Sequence, residues 1–398
     1  MGLGSATMPL DDVRVVEMGQ LIAGPFCGQI LADFGAEVIK IEEPTKGDPM
    51  RDWGREKAEG EALWWPILAR NKKSITLNLR GRAGQDAVRA LVERSDILIE
   101  NFRPGTLERW NLGYDALSAI NPGLIMVRVS GFGQDGPYAE RAGYGSIGEA
   151  MGGLRYVVGD PGAPPSRVGI SLGDSLAGTL GALGSMMALH ARKKTGRGQV
   201  VDSAIYEAVF TYMESLIPEY DLGGYIRERS GAILPNVAPS NVYPTSDGTL
   251  LVIAANQDTV FRRLTETMGR PELAQDPRFR NHAARGEHQA ELDEVIAGWS
   301  KGLRAAELLK LLEEGGVPAG RIYRAPDMLA DSHFEAREAI VEVPHQRLGS
   351  FKMQNVFPRL SATPGRVRWA GPELGQHNEE VLEGLLGFDD AAVRAAQI

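Results

Sequence analysis

Residues 13–41 read VRVVEMGQLIAGPFCGQILADFGAEVIKI, and this stretch decides the fold. Val13–Met18 is a short apolar run that ends at Gly19, the pattern of a buried strand. Gly24-Pro25 follows as a turn, and Pro25 suits the first turn of a helix, where its missing N–H costs nothing. Phe26–Phe34 carries a helical pattern, and Ala36–Ile41 returns as a strand. The same unit then recurs: Ser74–Leu79, a helix over about Gly84–Arg94, Ile97–Glu100, and a further strand at Leu124–Val129. Strands alternating with helices predict an α/β fold whose sheet is mostly parallel and covered by helices on both faces.

Beyond residue 130 the texture changes. Asp174–His190 reads as a small-residue helix with Gly178, Gly181 and Gly184. It carries no charge after Asp174 for a length that could span a membrane, but its Gly, Ser and Thr content predicts a buried, closely packed helix instead. Lys193-Lys194-Thr195-Gly196 supplies cations for the last turn and a glycine just beyond it. Residues 225–325 read as a smaller unit, opened by Pro235, Pro239 and Pro244, with a strand at Leu250–Ala254 and a helix at Ala305–Glu314. Residues 326–398 form the remainder, with a last helix near Asn378–Leu386.

Composition excludes several function classes. A net charge of −9 repels nucleic acid, so any anionic ligand must be met by local cations or backbone amides. The single cysteine, Cys27, allows no intrachain disulfide and suits a reducing compartment. The first residues hold neither a cationic region nor a long apolar stretch, so a cytoplasmic protein without a signal peptide or membrane attachment is expected. The six histidines show no ligand spacing apart from a loose His282/His288 pair, and no metal site is expected. Gly131-Phe132-Gly133-Gln134-Asp135-Gly136 matches G-x-G-x-x-G after a strand, but Pro137 follows at once and no acidic residue ends the next strand. A glycine loop beside another kind of ligand fits better than nicotinamide binding.

Asp174, in Gly169-Ile170-Ser171-Leu172-Gly173-Asp174-Ser175, opens the small-residue helix. Asp there serves as an N-cap, and the same helix terminus would keep its carboxylate ionised and nucleophilic. Arg80, Arg82, Arg103 and Arg109 fall at or after strand ends near Asn101, where a parallel sheet of this kind binds ligands.

Taken in order, these motifs resemble those of class III coenzyme A transferases. The matching segments are Ala23-Gly24-Pro25-Phe26, Phe34–Glu42, Asn71–Ile75, Glu100–Gly105, Ser130–Gly133, Leu172-Gly173-Asp174, Lys194–Gln199 and Leu374-Gly375-Gln376-His377. The resemblance implies a Rossmann-like large domain built from both chain ends (1–224 and 326–398), a small domain (225–325) inserted between them, and an interlocked homodimer. It makes Asp174 the catalytic nucleophile. It also places Ile22, Ala23, Leu77, Arg80, Asn101, Phe102, Arg103, Arg109, Gly131 and Tyr144 at the coenzyme site. Coenzyme A and its acyl thioesters are then substrates, exchanged against a small carboxylic acid, with no permanently bound cofactor. Asp174 would attack the donor thioester to give an aspartyl–acyl anhydride, and an aspartyl–CoA thioester would follow.

The sequence also departs from the pattern. Formyl-type transferases carry an arginine where Glu43 stands, and their tyrosine matching Tyr144 is flanked by a lysine and a glutamate where this chain has Ala142 and Gly145. Pro235-Asn236-Val237-Ala238-Pro239 replaces their glycine-rich loop. A small dicarboxylate exchanged against succinyl-CoA is therefore expected, rather than formate or oxalate. Racemases of the same fold pair the aspartate with a histidine, but Gly143-Tyr144-Gly145 offers none, and tyrosine is a poor proton shuttle near neutrality. A non-catalytic CoA-binding homologue would use Asp174 only as a cap.

Overall fold

The computed structural model describes residues 8–398. The chain divides into two compact units, the first made of the chain up to Arg155, Val168–Gly224 and His333–Ile398.

In the first unit six strands form one parallel sheet: β1 Arg14–Glu17, β2 Glu37–Glu42, β3 Lys72–Thr76, β4 Ile97–Glu100, β5 Ile125–Ser130 and β6 Val200–Ala204. They lie in the order β3-β2-β1-β4-β5-β6, with Val15 beside both Val38 and Ile97. This is the doubly wound order, in which the chain reverses its direction of travel between β1 and β4 and opens a crevice at their carboxyl ends. Side chains alternate across the sheet. Val15, Val38, Ile97, Ile99, Ile125 and Val127 enter one core. Val16, Ile39, Ile75, Leu98 and Met126 enter the other.

The first core is closed by α1 (Ala23–Asp33), and the second by α2 (Arg82–Val92) and the C-terminal helix Asp390–Gln397. Helix α3 (Gly145–Met151) and the long helix α4 (Leu172–Thr195) follow β5. Pro25 is the third residue of α1, within the turn whose N–H groups have no intrahelical acceptor. The expected strand Ser74–Leu79 begins two residues earlier, at Lys72, whose ammonium is buried against the Glu17 carboxylate, and ends three residues earlier, at Thr76. Strand β6 was not foreseen; its sequence, VVDSA, has too little periodicity to stand out. The outer edge of β3 is covered by the C-terminal segment, with Asn378 Oδ1 accepting from Thr76 N at 2.8 Å and His377 Nδ1 from Ser74 N at 3.1 Å.

Helix α4 ends at Gly196, whose φ of +71° forms the left-handed cap that the sequence predicts. Its start differs from expectation. Ser171 occupies the N-cap position and Asp174 is the third helical residue, so the helix begins two residues before the start that the sequence suggests. Among the described residues no helix is long and apolar enough to cross a membrane.

The second unit comprises Tyr156–Arg167 and Tyr225–Ser332. Strands β7 (Ser240–Pro244), β8 (Leu250–Ala254) and β9 (Ala319–Arg321) form an antiparallel sheet in the order β9-β8-β7. Tyr243, Leu251, Ile253, Phe261, Leu292 and Leu308 contribute to its core. Arg285 is fully buried there, and its guanidinium donates to Ala238 O, Phe279 O, Asn256 O and Asp258 Oδ1 at 2.7–3.1 Å.

Candidate active site

Loops leaving β1 and β4 meet at the crevice. Gln20 N donates to Asn101 Oδ1 at 2.8 Å, and Asn101 Nδ2 donates to Gln20 O at 2.7 Å. The next residue, Leu21, has φ +61°, a left-handed conformation that costs a non-glycine residue about 1–2 kcal/mol. It is held there from three sides, since Asp48 Oδ1 accepts from Leu21 N at 3.0 Å and Lys40 Nζ donates to Gly19 O.

Beneath this loop lies a cluster of buried charges. Lys40 pairs with Asp48 at 2.8 Å and approaches Glu17 at 3.5 Å, while Lys72 pairs with Glu17 at 2.8 Å and donates to Pro25 O at 2.7 Å. All four are 1% exposed or less. The only trace in the sequence is a lysine or glutamate breaking an apolar strand, as in the E-V-I-K-I-E of β2.

A cleft of about 1030 Å³ opens above the carboxyl ends of β1–β4, lined among others by Gln20, Lys46, Trp53, Arg80, Phe102 and Trp110. Leu77, Arg80 and Phe102 are on its lining. Others expected at the coenzyme site are not. Ile22 and Ala23 are buried in apolar clusters at 7% and 3% exposure. Asn101 is spent on the β1 loop. Arg103 and Arg109 are exposed outside the lining, with Arg109 Nη2 donating to Thr106 Oγ1 on the cleft wall at 3.0 Å. Gln20 and Lys46 were not anticipated.

Asp174, Gly131 and Tyr144 gather at a second point of the same sheet edge. After β5 the chain turns through Gly131, crosses Gly143 so closely that a Cβ on Gly131 would lie 2.5 Å from Gly143 Cα, and enters α3. The G-x-G-x-x-G segment thus forms a turn and opens no helix. A Cβ on Gly145 would sit 2.2 Å from Asp174 Oδ2, so the carboxylate rests over bare backbone. The Tyr144 phenol has its pKa raised by burial and by the Asp174 charge, which keeps it protonated beside the carboxylate.

Glu149, 1% exposed, fixes the start of α4: Oε1 accepts from Gly173 N at 3.2 Å and Oε2 pairs with Arg155 at 2.8 Å. One turn along, Gly178 lets α4 approach α1, since a Cβ there would lie 2.6 Å from Ala23 O. The first residue of α1, just beyond the cleft loop, is therefore packed one helical turn from Asp174. Cys27, buried in the same helix with its thiol pKa pushed up chiefly by burial, has no nucleophilic character.

Gly145→Ala is expected to displace the carboxylate and lower kcat by about a hundredfold, with the KM for acyl-CoA changed little, because an error of about 1 Å at a reacting group costs that much. Steady-state kinetics with both substrates varied would measure it. A kcat within threefold of wild type would show that the space over Gly145 is not needed.

A doubly wound sheet, a carboxylate in the first turn of a helix and a cleft at the carboxyl ends of the strands suit an enzyme that binds a nucleotide-bearing substrate. Residues 10–378 match the model of CoA-transferase family III, and the chain belongs to that family. It is 63% identical over 391 residues, 98% of this chain and 97% of the other, to succinyl-CoA–D-citramalate CoA-transferase of Chloroflexus aurantiacus. The beta subunit of succinyl-CoA–L-malate CoA-transferase from the same organism is 41% identical, with 98% and 97% covered. The crystal structure of a CAIB/BAIF family protein from Brucella suis superposes with a TM-score of 0.83 at 35% identity, covering 95% of this chain and 100% of that one. The protein is thus an enzyme, a CoA-transferase whose substrates are CoA thioesters and carboxylic acids.

Proposed function

We propose that the enzyme transfers coenzyme A from succinyl-CoA to a small dicarboxylate of the citramalate type, with Asp174 as nucleophile. The observation that carries the chemistry is the Asp174 carboxylate, third residue of α4, resting over Gly145. The acids are inferred from the 63% identity to a D-citramalate transferase.

In this reading an Asp174 oxygen attacks the donor thioester carbonyl, the C–S bond breaks, and CoA leaves as thiolate. The resulting anhydride joins the aspartyl and succinyl groups. The thiolate attacks the aspartyl carbonyl and expels succinate, giving an aspartyl–CoA thioester. The acceptor carboxylate attacks that thioester and releases the thiolate again, which takes the acceptor's acyl group and frees Asp174. Each intermediate conserves the activation of the first thioester, so no outside energy source is needed. The Tyr144 hydroxyl and the backbone N–H groups of the glycine crossing are suited to stabilise the oxyanions. The cleft would hold the nucleotide end, and the β1 loop through Ile22 and Ala23 would lead the pantetheine arm to Asp174 by its backbone.

The same reading makes the enzyme a cytoplasmic homodimer with the two chains interlocked and residues 225–325 as an inserted small domain. The association of two chains is supported by large apolar side chains on the first unit that one chain leaves exposed: Leu183, Met187, Phe210, Tyr220 and Leu222, at 47–87% exposure.

The test is an acceptor screen. With succinyl-CoA as donor, D-citramalate is expected to give the highest kcat/KM among D-citramalate, L-malate, glutarate and oxalate, read by chromatography of the CoA esters. Faster transfer between formyl-CoA and oxalate would overturn the assignment of acids.

A further inference from the structure

We propose that Lys46 is a specificity residue that reads a phosphate of coenzyme A, acting beside Arg80; this rests on the reading of the cleft as the nucleotide site. The two are the only lysine or arginine side chains on the cleft lining, in a protein of net charge −9. Coenzyme A carries three phosphate groups, and in this overall field they need local cations.

Both cations stand on turns fixed before any ligand arrives. Lys46 follows β2. Glu43 Oε2 accepts from Thr45 N at 3.0 Å and from Lys46 N at 2.6 Å, and Gly47 N donates to Glu43 O at 2.9 Å. The Glu43 carboxylate is thereby engaged by the turn itself. Gly47 (φ +70°) packs on the Arg51–Glu42 pair, where a Cβ would lie 2.8 Å from Arg51 Nε and Glu42 Oε2. Asp48 N donates to Glu42 Oε2 at 2.9 Å, which ties the far end of the turn to β2. Arg80 follows the neighbouring β3 on a similar turn, with Asn78 Oδ1 accepting from Arg80 N at 3.0 Å. Strands β2 and β3 are adjacent and parallel, so the two turns project from one side of the cleft mouth. Neither side chain forms an ion pair among the described residues. Two exposed cations on hydrogen-bonded turns border one large cleft and form an anion site there, with the Glu43 carboxylate, which Lys46 attracts, on the same lining.

Lys46 is exposed, so Lys46→Ala should fold normally, as circular dichroism and thermal melting would confirm. With succinyl-CoA as donor, KM for the thioester is expected to rise about tenfold, the size of one charge-assisted contact. The acceptor KM and kcat should stay within twofold, and Lys46→Arg should retain most of the affinity. Repeating the measurement with 3′-dephospho-succinyl-CoA locates the contact. If the penalty disappears, Lys46 reads the 3′-phosphate; if it persists, Lys46 reads the diphosphate. An unchanged KM for both thioesters would overturn the assignment. Calorimetry with free coenzyme A separates this failure from a failure of the underlying reading. Wild type that binds CoA while Arg80→Ala and Phe102→Ala bind it equally well would remove the nucleotide from the cleft altogether.

Discussion

Asp174→Asn should retain the fold and lose at least about a thousandfold in kcat, as enzymes do when a nucleophile is removed. The amide has the shape of the carboxylate, and Gly145 leaves the same space for it. Glu149, paired with Arg155, holds the backbone of the first turn of α4 in both forms. The lost negative charge near a helix start costs only about 0.3–1 kcal/mol of stability. What disappears is the oxygen nucleophile. Succinyl-CoA followed by hydroxylamine should leave a hydroxamate on Asp174 of wild type and none on the variant, read by peptide mass mapping. Coenzyme binding should survive, because the cleft at β1–β4 does not include residue 174. Activity within tenfold of wild type would remove Asp174 from the chemistry and return the protein to the CoA-binding or proton-transfer alternatives.

The parts of the molecule that rest on local pattern were readable before the structure. Apolar runs at β1, β2, β4 and β5 and the helical pattern of α1 and α4 announce themselves, because buried parallel strands and a closely packed helix require such composition. Gly196 as the end of α4 follows from local chemistry as well. The site was legible only through the family resemblance, and then only in part. Leu77, Arg80 and Phe102 face the cleft, whereas Asn101 acts at one remove by bonding Gln20 across 81 positions of sequence. No periodicity records such a pair. The roles of Lys40 and Lys72 were hidden for a related reason. A lysine in a strand reads as an exposed position, and only the arrangement of β1 between β2 and β4 turns it inward toward a carboxylate. Lys46 went unnoticed because a lone lysine in a turn is usually just solvated, and its significance comes from the cleft it borders.

That buried charge cluster leads to the largest stability effect expected. Glu17→Gln should cost roughly 3–5 kcal/mol at neutral pH, the range for breaking a buried ion pair by removing one partner. Glu17 is wholly buried in β1 and, among the described residues, is the only carboxylate paired with Lys72, at 2.8 Å, while also lying 3.5 Å from Lys40. Its loss leaves two buried ammonium groups with Asp48 as the paired carboxylate and Glu42 as a further negative charge acting on Lys40, while Lys72 keeps its bond to the Pro25 carbonyl. Urea unfolding followed by fluorescence should show the shift. Glu314→Gln serves as the control, since its 3.9 Å contact with Lys310 is exposed and should contribute under about 1 kcal/mol. Adding Lys72→Met to Glu17→Gln should recover part of the loss, because the uncompensated charge, not the missing bond, is what destabilises. The cluster also holds Gly19 and Leu21 in place, so the single variant should raise the KM for acyl-CoA even where it is fully folded. A variant that lost less than about 1 kcal/mol with an unchanged KM would mean that Asn101 alone fixes the loop. The strained Leu21 argues otherwise: a φ of +61° persists only where its surroundings leave no alternative, and Asp48, positioned by Lys40, is the group that bonds its amide.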